Sequence, residues 1–154
     1  MSELKRILLV DDSAHDVELT LAALEQNHLA NEVVVARDGE EALDYLYRRG
    51  IFKLRFAGHP AVVLLDLKLP KIDGLEVLKQ IKSDDDLRAI PVVMLTSSRE
   101  EKDLLQSYNL GVNAYVVKPV DFHEFVDSLK ELGLFWAVIN QPPPGSVRRP
   151  DEKR

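Results

Sequence analysis

Residues 62–74 decide the fold, and their sequence is VVLLDLKLPKIDG. The first four are apolar and two of these are β-branched, which is typical of a strand buried on both faces of a parallel sheet. The strand ends in Asp66, and Pro70 with Asp73-Gly74 then favours a turn before the next helix. An aspartate here lies at the edge where open α/β sheets bind ligands, although aspartates also simply cap loops. The stretch therefore predicts a parallel sheet with a candidate ligand site at Asp66.

The overall composition excludes several classes of function. The chain has 154 residues, 45% hydrophobic and 30% charged, which predicts one soluble globular domain. A formal net charge of −6 argues against a nucleic-acid partner, because a general nucleic-acid binder needs a basic face. Since the chain contains no cysteine, disulfides, thiol catalysis and thiolate metal sites are excluded.

The amino-terminal segment carries no targeting pattern. Its first apolar run, residues 7–10, is too short for a secretory signal. No window approaches the roughly 18 to 20 apolar residues that cross a membrane. We therefore expect a cytoplasmic protein with no membrane partner.

Five apolar runs alternate with helical patterns along the chain. The runs are residues 7–10, 33–36, 62–65, 91–96 and 114–117. The last helical pattern is strongly amphipathic, with the stripe Phe122, Phe125, Val126, Leu129 and Leu132. This alternation predicts an α/β, doubly wound, five-stranded parallel sheet with helices on both faces.

Two further segments lie outside this alternation. Residues 48–59 have weak periodicity and two glycines, and are predicted to form a long loop. The proline-rich, charged segment at the carboxyl end cannot bury a core. We therefore divide the chain into a folded domain, residues 1–139, and a tail, residues 140–154.

Polar side chains follow four of the predicted strands. Asp11 and Asp12 follow the first, Asp66 the third, Thr96 the fourth and Lys118 the fifth. In a parallel sheet these ends lie along one edge, so three carboxylates should share a pocket with a hydroxyl and an ammonium group. Such carboxylates repel one another unless a cation joins them, and oxygen ligands suit Mg²⁺. Taken singly, Asp12 could be a helix N-cap, Thr96 a solvent-facing threonine and Lys118 a surface lysine. Because all of them occur at strand ends, we favour a site where Asp66 attacks phosphorus.

With these marks, the sequence from about Lys5 to Leu134 resembles the receiver domain of two-component response regulators. The matching features are the pair Asp11-Asp12, Asp66 followed by Leu69-Pro70 and Asp73-Gly74, the pair Thr96-Ser97, and the pair Lys118-Pro119. The resemblance implies the flavodoxin-like strand order 2-1-3-4-5, which is the order known for receivers.

The resemblance also implies a role for each residue of the site. Asp66 would be the phosphoacceptor, and Asp11, Asp12, Asp66 and the backbone carbonyl of Lys68 would hold Mg²⁺. Lys118 would contact the phosphoryl group.

Thr96 and Tyr115 would form the switch pair, the hydroxyl moving toward the phosphoryl group and the ring turning inward behind it. Tyr115 could instead be an edge-strand aromatic packed on the last helix.

The end of the predicted last helix, residues 132–139, is apolar nearly all round. Such a surface usually meets a core or another chain, so we expect a homodimer through the last helix and tail. Together with Pro142-Pro143-Pro144 and the long loop, this end resembles single-domain regulators paired with bacterial and cyanobacterial phytochrome histidine kinases.

The function so implied is that of a single-domain response regulator, not an enzyme. It would take a phosphoryl group from a sensor histidine kinase onto Asp66 and present an altered face to an unknown downstream protein. An alternative is an intermediate in a multi-step phosphorelay. A phosphatase of the haloacid dehalogenase type would need an acid two positions after Asp66, where Lys68 stands, and Asp11-Asp12 would repel the phosphate of a flavin mononucleotide.

Overall fold

A five-stranded parallel sheet with flanking helices forms the part of the chain that the computed structural model describes, namely residues 6–26, 32–55, 58–97, 100–118 and 127. The strands are β1 (Arg6–Val10), β2 (Glu32–Ala36), β3 (Val62–Leu65), β4 (Val92–Thr96) and β5 (Ala114–Val117). The helices are α1 (Ala14–Gln26), α2 (Gly39–Tyr47), α3 (Gly74–Ser83) and α4 (Glu101–Asn109). The strand order is β2-β1-β3-β4-β5, which confirms the predicted topology.

The central strand β3 separates two hydrophobic cores. Val63 and Leu65 face one core, to which α2 and α3 contribute, whereas Val62 and Leu64 face the other, which is lined by α1. All four side chains are fully buried, and each such burial stabilises the fold by roughly 1.5–3 kcal/mol. Because both faces are covered, the strand is apolar throughout, and its first polar residue comes only at the sheet edge.

The segment 48–59, predicted to be a long loop, contains a short helix. Helix α2 ends at Arg48, which has a left-handed backbone (φ 57°), and a 3-10 helix follows at Gly50–Phe52. The Phe52 ring packs edge-on against Tyr45 of α2, with ring centroids 5.0 Å apart. The segment therefore folds back on α2 through aromatic contacts that its weak periodicity does not reveal.

The predicted last helix, the tail and the dimer contacts expected there lie outside the described residues. Among the helices that are described, none is both long enough and apolar enough to cross a membrane.

Candidate functional site

Backbone hydrogen bonds continue the sheet one residue beyond its strands and align the residues of the site. The Asp11 N–H donates to the Ala36 carbonyl at 3.0 Å, and the Asp66 N–H to the Val10 carbonyl at 3.0 Å. Between β4 and β5, the Lys118 N–H donates to the carbonyl of Thr96 at 2.8 Å. The polar residues after β1, β3 and β5 are therefore fixed at the same edge by the sheet itself.

Three carboxylates meet at this edge. One oxygen from each of Asp11, Asp12 and Asp66 lies within 4.8 Å of the others. Asp11 is buried, Asp12 is exposed, and Asp66 is only 8% exposed. An all-oxygen donor set with one side open to water fits a hard divalent cation such as Mg²⁺ or Mn²⁺, which keeps part of its hydration shell. These residues could therefore hold a metal ion beside Asp66.

Lys118 supplies a positive charge at this site. Its Nζ donates to Asp11 Oδ2 at 2.8 Å, to Asp16 Oδ2 at 2.9 Å and to Asp66 Oδ2 at 3.4 Å. The side chain is 9% exposed. Although burial acts to lower the pKa of Lys118, the hydrogen bonds to Asp11 and Asp16 raise it above its ordinary value. The ammonium group therefore stays charged and has all three of its N–H groups engaged.

Asp66 is held in an environment that disfavours its charge. Burial raises the pKa of Asp66 to about 6, the Lys118 ammonium opposes this rise, and the nearby carboxylate of Asp11 adds to it. A cation bound by these carboxylates would favour the ionised form.

The loop between β3 and α3 is tightly constrained behind Asp66. The Gly74 N–H donates to the Leu67 carbonyl at 2.9 Å, and a Cβ at position 74 would lie 2.2 Å from the Asp66 carbonyl oxygen. Lys71 adopts a left-handed backbone with φ 68°. The glycine at 74 is thus required by close approach. Lys68 lies in this loop with an exposed side chain.

Thr96 and Tyr115 lie on the adjacent strands β4 and β5. Thr96 ends β4 and is 1% exposed, which excludes the solvent-facing interpretation. Tyr115 pairs with Met94 in the sheet and packs, half-buried, against the core shared by α2 and α3. Whether it also packs on the last helix concerns residues outside the described part of the chain.

One residue of the site was missed in the sequence. Asp16 lies in the first turn of α1 and contacts Lys118, although the two residues are 102 positions apart in the sequence. Ser13 caps this turn by accepting from the Asp16 N–H at 3.2 Å, while its own N–H donates to Asp11 Oδ1 at 3.0 Å. In the sequence, Asp16 falls in the helical pattern that follows the acidic pair, but nothing there indicates a contact with Lys118.

Comparison with known proteins identifies the family. A sequence model described as "Response regulator receiver domain" matches residues 7–130. The chain belongs to the response regulator receiver family. This confirms the resemblance on which the expected fold and phosphoacceptor function depend.

Among solved receivers, two bacteriophytochrome response regulators are similar to this chain. RtBRR is 64% identical, with 94% of this chain and 87% of that chain covered and a TM-score of 0.81. AtBRR is 65% identical, with 91% and 100% covered and a TM-score of 0.83. Response regulator Rcp1 of Synechocystis is 39% identical over 86% of this chain and 88% of its own length. The Mn²⁺-bound crystal form of Rcp1 is 38% identical, covers 90% and 99%, and has a TM-score of 0.72.

Membership of the family fixes the class of activity. The protein is a receiver, a phosphoacceptor of two-component signalling and not a conventional enzyme, and a receiver implies a cognate sensor histidine kinase. Its acidic triad is able to hold a metal ion, and the related Rcp1 was crystallised with Mn²⁺. The match gives no support to the phosphatase or flavin-carrier alternatives.

Proposed function

We propose that Asp66 is the phosphoacceptor and that Asp11, Asp12, Asp66 and the Lys68 carbonyl hold Mg²⁺ beside it. The observation that carries this proposal is the position of Asp66. Its carboxylate lies at the end of the central strand, within 4.8 Å of the Asp11 and Asp12 oxygens and 3.4 Å from Lys118 Nζ. Among the described residues, this arrangement offers a nucleophilic carboxylate, a cation site and a fixed ammonium group together.

The chemistry follows from these contacts. A carboxylate oxygen of Asp66 attacks the phosphorus of a phosphohistidine, the new O–P bond forms as the P–N bond breaks, and the departing imidazole takes up a proton. Lys118 then donates to a phosphoryl oxygen in place of its 3.4 Å contact with Asp66. Bound Mg²⁺ would offset the negative charge between the carboxylates and the phosphoryl oxygens.

We infer that Thr96 and Tyr115 carry the change to the surface. Thr96 is buried at the carboxyl end of β4, next to the strand that places Lys118. A phosphoryl group adds about −1.5 to −2 charge and three acceptor oxygens, which attract a neighbouring hydroxyl. Tyr115, one strand away and half-buried, can occupy the space behind the displaced threonine. A downstream protein would bind the altered face.

We further propose a phytochrome-type histidine kinase as the phosphodonor. Support comes from the two bacteriophytochrome response regulators at 64% and 65% identity. The phosphoryl transfer would take place in the cytoplasm, where ATP supplies the phosphoryl group of the kinase. The division at residue 139 and a homodimer through the last helix and tail remain part of this proposal. In a panel of purified histidine kinases, a phytochrome kinase should transfer its phosphoryl group fastest, and a faster unrelated kinase would overturn the pairing.

Asp66→Asn tests the phosphoacceptor directly. The full chain is incubated with acetyl phosphate and Mg²⁺, and the intact mass is measured. The parent should gain one phosphoryl group and Asp66→Asn none. Asp73→Asn is the matched control, because Asp73 is an exposed aspartate of the same loop whose side chain makes no capping hydrogen bond. An Asp66→Asn protein that is labelled as fully as the parent would show that another residue accepts the group.

A further inference from the structure

Among the described residues, Asp16 is the one carboxylate bonded to Lys118 that does not belong to the acidic triad. Its Oδ2 lies 2.9 Å from Lys118 Nζ, almost as close as Asp11 Oδ2 at 2.8 Å. The contact with Asp66 is longer, at 3.4 Å. The ammonium group therefore lies nearer to α1 than to the proposed phosphoacceptor.

We propose that Asp16 is a positioning residue that draws the Lys118 ammonium away from Asp66 and thereby keeps the triad available to a divalent cation. This inference rests on the proposed function of the site, because it assumes that the triad binds the cation. Asp16 acts through Lys118 and does not itself ligate the metal.

Competition for the same oxygens explains the effect. Lys118 shares Asp11 and Asp66 with the cation, and an ammonium group bound tightly to both would oppose metal binding. Its side chain is 9% exposed, so it cannot simply move into solvent when one partner is lost. Without the Asp16 carboxylate, its N–H groups and its charge would concentrate on Asp11 and Asp66. Asp16, whose side chain is 34% exposed, thus accepts a hydrogen bond from Lys118 without occupying an oxygen of the triad.

A purely structural role for Asp16 makes a different prediction. An acidic residue in the first turn of a helix interacts favourably with the helix dipole, and this alone would account for its presence in α1. In that case, removing the carboxylate would lower the stability of the fold slightly and leave Mg²⁺ affinity unchanged. The two roles are therefore separated by measuring metal binding and unfolding on the same variants.

The test is Mg²⁺ titration of the full chain by isothermal calorimetry. Asp16→Asn should weaken Mg²⁺ binding roughly three- to tenfold, as expected for an ammonium group shifted onto two metal ligands. Glu18→Gln is the matched control, because it removes the same charge from an exposed position of the same helix. Asp16→Glu keeps a carboxylate within reach of Lys118 and should bind Mg²⁺ nearly as the parent does.

A double-mutant cycle shows whether the effect passes through Lys118. In a Lys118→Met background, Asp16→Asn should weaken Mg²⁺ binding no more than Glu18→Gln does. If Asp16→Asn matches Glu18→Gln in the parent background, or weakens binding equally with and without Lys118, the inference is wrong.

The outcome also distinguishes this inference from the proposed function. A parent protein that neither binds Mg²⁺ nor becomes phosphorylated would overturn both. A parent that does both, with an Asp16→Asn variant that behaves like the control, would overturn the inference alone.

Discussion

Replacing Lys118 by methionine should destabilise the metal-free protein far more than it destabilises the Mg²⁺-bound form. The substitution retains most of the side chain's length and apolar stem but removes the cation that contacts Asp11, Asp16 and Asp66. The remaining carboxylates then face one another at the edge of the sheet without a counter-charge. Mg²⁺ would restore that counter-charge.

The magnitude follows from the distances. Two carboxylate charges within 4.8 Å of one another repel by at least about 3.5 kcal/mol at an effective dielectric constant of about 20. Asp66 can escape part of this by binding a proton, since its pKa is already raised to about 6. We therefore expect a loss of about 3 kcal/mol at neutral pH, or a fall in melting temperature of roughly 6–12 °C for a chain of this size.

The assay is thermal and urea unfolding of the variant and the parent, with a chelator and with saturating Mg²⁺. Lys71→Met is the matched control. Lys71 also pairs with two carboxylates, those of Asp38 and Glu40, but at 3.6 and 3.5 Å and with its side chain 60% exposed. Because solvent screens these exposed contacts, their loss should change stability much less than the loss of Lys118. The reasoning is refuted if Lys118→Met loses no more stability than Lys71→Met without metal, or if Mg²⁺ leaves the loss unchanged.

The remaining predictions concern Asp66 and the loops around it. Burial raises the pKa of Asp66 to about 6, so below that pH Mg²⁺ must displace the proton of Asp66. Mg²⁺ affinity measured by calorimetry should therefore rise about tenfold per pH unit below pH 6 and level off above it. An affinity that does not change with pH would contradict this. In the metal-free protein the same raised pKa stabilises the fold below pH 4, and up to about 3 kcal/mol is lost as pH rises through 6, which urea unfolding at several pH values would show. Gly74→Ala should cost roughly 1–3 kcal/mol in urea unfolding and slow labelling by acetyl phosphate, because its Cβ would meet the Asp66 carbonyl at 2.2 Å. Thr96→Ala should be phosphorylated as the parent is but bind its downstream partner with the same affinity in both states; parent-like signalling would rule out the switch role.

Much of the fold could be predicted from local patterns. The β3 run at 62–65 and the β5 run at 114–117 have the predicted bounds. For β3 the reason is that a strand buried on both faces must be apolar throughout. The sheet-edge rule then placed Asp11, Asp66 and Lys118 together without any distance being known. The 3-10 helix at Gly50–Phe52 was not predictable in this way, because it depends on a ring contact with α2.

The amino-acid sequence by itself determined the alternation of strands and helices and the set of polar residues at the strand ends. These follow from periodicity and from the geometry of parallel sheets, which are local or general properties. Only the tertiary structure decided which carboxylate Lys118 approaches most closely, that Asp16 shares it, and that Asp66 is buried enough for its pKa to rise. Distances between charges and their exclusion from water depend on how α1, β1, β3 and β5 pack together, and no pattern along the chain encodes that packing.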